Sequence, residues 1–416
     1  MFRSVIPGLL IAAGVAVHVT AAPVSDPSEP SAGPSASEPA ASEVARQAEN
    51  NLRFASDFYR QLRSRPGNLA FSPVGLASGL SMAYAGARGD TAAELARVMH
   101  FAANGVEHHR SFQSLLQTSD DVSDDDARPA LVVANGLWFQ KGHEFRPGYA
   151  EFITRYYGAA VGKLDFEGRA AESLGQINKW VAEQTAGKIP ELLDAQALFE
   201  DSRLVLANAI YFRAPWSQPF DAKKTASGTF YLNDKDTVET DMMHQVGRFR
   251  IAQDDSVTIL ELPYKGQRYA MLLLIPQSPN GIADLEQQLT LDRIASARSK
   301  LEMKTVDLSL PKFTIDAGIA DTIRIFRKLG LSLCFSRDAD FSAMTDSQEL
   351  FISNITHRAR VEVDEAGTIG AAATGVAVAS KGVPKVVLVD RPFLFLVQDH
   401  QLHRILFWGR CADPRK

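Results

Sequence analysis

The residues of this 416-residue chain that could do chemistry are few, and most of them lack the partners that chemistry needs. His357 is a candidate general base, but no G-x-S-x-G elbow supplies a nucleophile to place with it, so hydrolase chemistry is not supported. Gly370-Ala-Ala-Ala-Thr-Gly375 has the glycine spacing of a phosphate loop, but Val376 stands where the lysine belongs. His108-His109 has no partner at metal-ligand spacing and is expected in a solvated loop. Cys334 and Cys411 form no CxxC or Cys/His pattern, so no metal is expected, and separate buried thiols are preferred over a bridge. No cofactor is expected either.

A different kind of chemistry is written at residues 366–380. These fifteen consecutive residues carry no charge and are mostly Ala, Gly, Val, Thr and Ser, which is unusual for a surface loop. A buried strand is the plain alternative, but Gly367, Gly370 and Gly375 weaken strand propensity, and Lys381-Gly382-Val383-Pro384 closes the run as an exposed turn. A segment that is a loop in one state and a strand in another needs such residues. As a strand it places Thr368, Gly370, Ala372, Thr374, Val376 and Val378 on one face, with no charge to oppose burial.

The elements that must position this segment read as α+β. Apolar residues at helical spacing mark Val44–Ser64, and a Ser-Pro start signal opens Ser72–Ala87; a further helix is expected over Ala170–Thr185. Strand-like runs span Leu131–Phe139, Leu204–Phe212, Val257–Leu262, Tyr269–Ile275, Val306–Leu310, Val386–Val389, Phe393–Val397 and Ile405–Phe407. Helices come early and strands dominate late, without regular βαβ alternation.

Ahead of this lie two segments of other character. Residues 1–22 carry one early arginine, an apolar stretch from Val5 to Val19 and small residues at Thr20-Ala-Ala22, the pattern of a secretory signal peptide, so a secreted or periplasmic location is expected. The apolar stretch is too short and too interrupted, by Pro7 and His18, for a membrane span, and no stable membrane insertion is expected. Residues 23–43 hold five prolines and six serines and read as a disordered linker. The remaining residues 44–416 show no further break and are taken as one domain. With 44 basic against 49 acidic residues and a net charge of −5, the chain has no polycationic surface for nucleic acid.

The segment from Val361 to Phe395 resembles the hinge, reactive loop and following strand of the serpin family. Further matches run along the chain: Asn68-Leu-Ala-Phe-Ser72-Pro73, Gly86-Ala-Arg-Gly89-Asp-Thr91, Asn178-Lys-Trp180-Val, Asn208-Ala-Ile-Tyr-Phe212, Trp216, Phe220, Glu261-Leu-Pro-Tyr264, Leu310-Pro-Lys-Phe313, Ala339-Asp-Phe-Ser342, Pro392-Phe-Leu-Phe395 and Leu406-Phe-Trp-Gly409. They cover essentially all of residues 44–416. The Arg88-Gly89-Asp90 triplet falls inside one of these motifs, where the glycine serves a turn.

The resemblance implies a fold of three β-sheets and about eight to nine helices, with an exposed reactive loop over residues 366–389. It implies a suicide substrate and not an enzyme: a protease cleaves the loop, and the loop then inserts into the central sheet while the acyl-enzyme is still intact. Counting from the hinge threonine, Thr368, and back from Pro392 both reach Lys381, so the reactive bond is Lys381-Gly382 and the partner a trypsin-like serine protease. A slip of one residue to Ser380 suits an elastase-like pocket instead. The implied hinge comprises Glu365, Gly367, Thr368, Ile369, Gly370, Ala371, Ala372, Ala373 and Thr374. Ala366, Ile369 and Gly370 depart from the inhibitory pattern without adding a proline or a charge, which leaves a non-inhibitory, binding or chaperone-like member as the alternative.

Two more sets of positions carry over from the resemblance. Ser72, Asn208 and His357 match the polar cluster where the central sheet opens, with Gly75 in place of a second serine and therefore one hydrogen bond fewer expected. Lys312 and Glu365 match a hinge ion pair beside Trp216. A monomer is expected. The sequon Asn354-Ile-Thr356 is expected in a strand and unmodified.

Overall fold

The computed structural model describes residues 39–101, 105–117, 130–319, 321–347, 349–368 and 383–416. Nine α-helices and two hydrogen-bonded sheets make up the described residues, an α+β architecture. The resemblance implies three sheets. Hydrogen bonding joins two of them, because the 17-residue strand Thr237–Gln253 pairs with Ala226–Tyr231 at one end and with Val257–Pro263 at the other, and with Glu302–Pro311 between.

The six-stranded central sheet runs in the order 313–318, 352–363, 367–368, 204–215, 130–140 and 160–164. Its middle strand, Leu204–Pro215, is buried at nearly every position because both faces are covered. Leu204, Leu206, Ile210, Phe212 and Ala214 face the main core, while Val205, Ala207, Ala209 and Tyr211 pack under Ile177 and Val181 of helix Ala170–Gln184. That division is the period of two expected of a strand. Asn208 belongs to the core-facing set, so its amide must find partners inside the protein.

Strand Ile352–Val363 alternates strictly between buried and half-exposed residues from Asn354 onward, and His357 falls on the buried face. It pairs in parallel with Leu204–Pro215, from Ile352 opposite Leu204 to Arg360 opposite Tyr211. Helix Pro73–Gly86 lies beneath this junction and is buried almost all round. Ser72 caps it, accepting from the Gly75 amide at 3.1 Å, and Pro73 occupies the first turn, as the Ser-Pro signal predicts.

His108 and His109 correct the expectation of a solvated loop. Both lie in helix Val106–Leu116 and are buried. His108 sits 3.1 Å from Ser81 Oγ, and His109 Nδ1 hydrogen-bonds the Tyr157 hydroxyl at 2.6 Å. Cys334 and Cys411 are buried free thiols, and Asn354 lies on strand 352–363 with its Nδ2 donating to the Ala197 carbonyl. Gly89, with φ +51°, makes the turn between helices 73–86 and 89–98. No helix among the described residues is long and apolar enough to cross a membrane.

Candidate functional site: a hinge set into the central sheet

Past Arg360 the two middle strands of the central sheet part, and two residues of the uncharged run fill the gap. Gly367 and Thr368 form a short strand antiparallel to both neighbours, Thr368 pairing with Val363 on one side and Ala214 on the other. Thr368 is fully buried, and its Oγ1 hydrogen-bonds Tyr264 Oη at 2.6 Å. Tyr264 in turn stacks on Trp216, with ring centroids 4.5 Å apart and planes 7° from parallel. The hinge threonine is therefore seated on an aromatic floor. Gly367 is required there: a Cβ would lie 2.1 Å from the Ala214 carbonyl oxygen and 2.6 Å from Pro215 Cα, far inside contact distance.

The turn before this strand is held from several directions. Asp364 accepts from the amides of Ala366 and Gly367 at 2.9 and 3.0 Å, and its carbonyl accepts from Trp216 Nε1 at 3.0 Å. The amides of Trp216 and Phe220 donate to the carbonyls of Ala366 and Glu365. Lys312 and Glu365 form the expected ion pair, Nζ to Oε2 3.0 Å, and Thr225 Oγ1 donates to the same carboxylate at 2.8 Å. Burial raises the Glu365 carboxyl, but the hydrogen bonds from Thr225 and Lys312 and the lysine's charge outweigh it and leave the group below its usual range. Asp364 goes the other way, because burial dominates over its two amide donors.

Farther along the same junction lies the polar cluster. The Ser72 amide donates to His357 Nε2 at 2.9 Å, which fixes the proton on Nδ1, and Nδ1 donates to Asn208 Oδ1 at 2.7 Å. Asn208 Nδ2 then donates to Asn135 Oδ1 at 2.8 Å, and Asn135 Nδ2 to the Tyr157 carbonyl at 3.1 Å. Ser78 Oγ also lies 2.9 Å from Asn135 Oδ1. The cluster thus latches strand 352–363 to strands 204–215 and 130–140.

A Cβ at Gly75 would meet Asn208 Oδ1 at 2.5 Å, so the amide that bonds His357 occupies the space a serine would need. Asn135, Ser78, Tyr264 and Thr225 were not legible as site residues, since nothing in their local sequence marks them as neighbours of the hinge or the gate; Asp364 adjoins the hinge residue Glu365 in the chain, but its part in holding the turn shows only in the fold. Ile369, Gly370, Ala371, Ala372, Ala373, Thr374, Lys381 and Gly382 lie outside the described residues. Among the described residues no group of three or more His, Cys, Asp or Glu is placed to hold a metal ion.

Burial holds the gate imidazole neutral and pushes His357 down to about 3, and burial takes His109 to about 4; His108 is also pushed well below its usual value, by burial and then by His109. In the unfolded chain these groups take up a proton near the ordinary value of about 6.5. Stability is thus fully present above that pH and is lost as the pH falls toward the folded values, by about 1.4 kcal/mol per pH unit for each imidazole that must stay neutral. Urea unfolding at about pH 7 and about pH 5 should show this loss. His109→Gln should remove one imidazole's share of the slope, and an unchanged slope in that variant would refute the assignment.

Comparison with known proteins gives one answer. The family model described as serpin (serine protease inhibitor) matches residues 49–414. The bovine leukocyte elastase inhibitor is 37% identical over 376 residues, covering 88% of this chain and 98% of that protein. Human thyroxine-binding globulin superposes with a TM-score of 0.82 at 28% identity, over 89% of this chain and 99% of that one. Uncleaved ovalbumin does so with a TM-score of 0.81 at 24% identity, over 88% and 99%, a likeness of fold.

Proposed function

The chain belongs to the serpin family, a family of protease inhibitors rather than enzymes, and from that premise we propose that it is an exported suicide-substrate inhibitor of trypsin-like serine proteases, cleaved at Lys381-Gly382. The observation that carries this reading is the seating of Gly367 and Thr368 between strands 352–363 and 204–215. In this reading insertion has a defined first step, and the residues that would follow are uncharged and, apart from Ile369, mostly small.

In this reading the target's serine oxygen attacks the Lys381 carbonyl carbon. The Lys381-Gly382 bond breaks, Gly382 leaves as a free amine with a proton delivered by the protease, and the Lys381 acyl group stays esterified to the protease. Strand insertion then carries the ester away before water completes hydrolysis. Lysine supports a trypsin-like target because its cation satisfies a buried carboxylate at the base of such a pocket. Ser380 and the likeness to a leukocyte elastase inhibitor favour a second reading, with cleavage one residue earlier by an elastase-like enzyme. The domain reading stands with this proposal: residues 1–22 direct export, 23–43 form the linker and 44–416 the inhibitor.

Mixing the chain from residue 23 with trypsin, and separately with leukocyte elastase, tests both readings. A complex with trypsin that survives denaturation, with a released peptide beginning at Gly382, supports the proposal. A complex with elastase and a peptide beginning at Lys381 moves the reactive bond to Ser380. Clean cleavage by both enzymes without a complex refutes inhibition and leaves the non-inhibitory alternative.

A further inference from the structure

We propose that the cavity between helices Pro73–Gly86, Gly89–Val98, Val106–Leu116 and Pro147–Tyr157 binds a small aromatic anion. The cavity encloses about 720 Å³, within the roughly 300–1,000 Å³ typical of small-molecule sites. Four rings line it, those of Tyr84, His109, Tyr149 and Phe152, and small residues such as Ala96 leave the space between them. Such walls suit a flat aromatic body.

The polar contribution fixes the sign of the ligand. Arg88 is exposed at the cavity and is its only Lys, Arg, Asp or Glu lining residue among the described residues. One of its nitrogens, Nη1, donates to the Ala87 carbonyl, and the Asp340 carboxylate lies close enough to feel its charge. A guanidinium has five donors, so a fork remains for a carboxylate or sulfonate.

The test uses 8-anilino-1-naphthalenesulfonate as the probe, titrated by fluorescence against the chain from residue 23. One saturable site is expected. Ala96→Phe fills the cavity from one wall and Gly148→Leu from another, where a Cβ at Gly148 meets nothing within 4 Å. Each variant should weaken binding by about tenfold or more, and Arg88→Gln by severalfold, with unchanged melting temperatures. Equal binding by both filled variants would place the probe elsewhere and overturn the site, and an unchanged affinity in Arg88→Gln would overturn the anion preference.

Discussion

Thr368→Arg is expected to abolish the trapping of trypsin while leaving cleavage intact, so that the chain behaves as a substrate. The side chain it replaces is fully buried between two strands, and its hydrogen-bond partner among the described residues is the neutral Tyr264 hydroxyl. Burying an unpaired charge costs several kcal/mol at least, whereas seating the threonine costs little because its hydroxyl is satisfied. The arginine should expel Gly367 and the following residues from the sheet and leave the acyl-enzyme time to hydrolyse. Gel analysis of trypsin mixtures should show cleaved chain without a complex, and at least about tenfold more chain consumed per trypsin inactivated. Thr368→Ser should retain trapping. If Thr368→Arg traps as the parent does, the hinge does not act at this position.

The register explains why the defect should be decisive at this first step. Thr368 stands opposite both Val363 and Ala214, and continuing the antiparallel pairing in steps of two brings Thr374 opposite both His357 and Asn208. In the proposed reading, insertion parts the Nδ1 to Oδ1 hydrogen bond of 2.7 Å at the gate and delivers to that point a residue that carries a hydroxyl. Residues before it, Gly370 and Ala372, bring no bulk that would wedge the strands prematurely. In the proposed reading, hinge, gate and loop composition are parts of one sequence of events.

Legibility in the sequence followed how local each cause is. The cap at Ser72 and the apolar strand runs depend on neighbours in the chain, and the structure places them as the periodicity predicts. Strand 352–363 carries arginines, a histidine and a glutamate on its half-exposed and buried faces, so no apolar run announces it; its mark is the alternation of Ile355, Ala359, Val361 and Val363 with Thr356, Arg358, Arg360 and Glu362. His108 and His109 mislead for a related reason. Two adjacent histidines read as polar, but Ser81 and the Tyr157 hydroxyl, contributed by other helices, make neutral imidazoles acceptable inside. The Lys312–Glu365 pair became visible only through family resemblance, because the two residues are joined by tertiary packing and not by spacing. At Gly75 the resemblance gives no hint that Asn208 fills the space a larger side chain would need.

Lys381→Phe should carry the second large effect, on the choice of target and not on the trap. In the proposed reading the lysine is the only part of the loop that enters the protease's specificity pocket, and a pocket built around a buried carboxylate rejects a side chain that leaves it unpaired by roughly 10³-fold or more. Association with trypsin should fall on that order, while complexes with chymotrypsin-like enzymes should appear, since Thr368 and the gate are untouched. The pair of outcomes separates bait from spring: Thr368→Arg loses every target together, whereas Lys381→Phe exchanges one for another. If trypsin trapping persists in Lys381→Phe, the reactive bond lies elsewhere. If elastase trapping persists with cleavage before residue 381, Ser380 is the bait, and the lysine is the residue that departs with the released peptide.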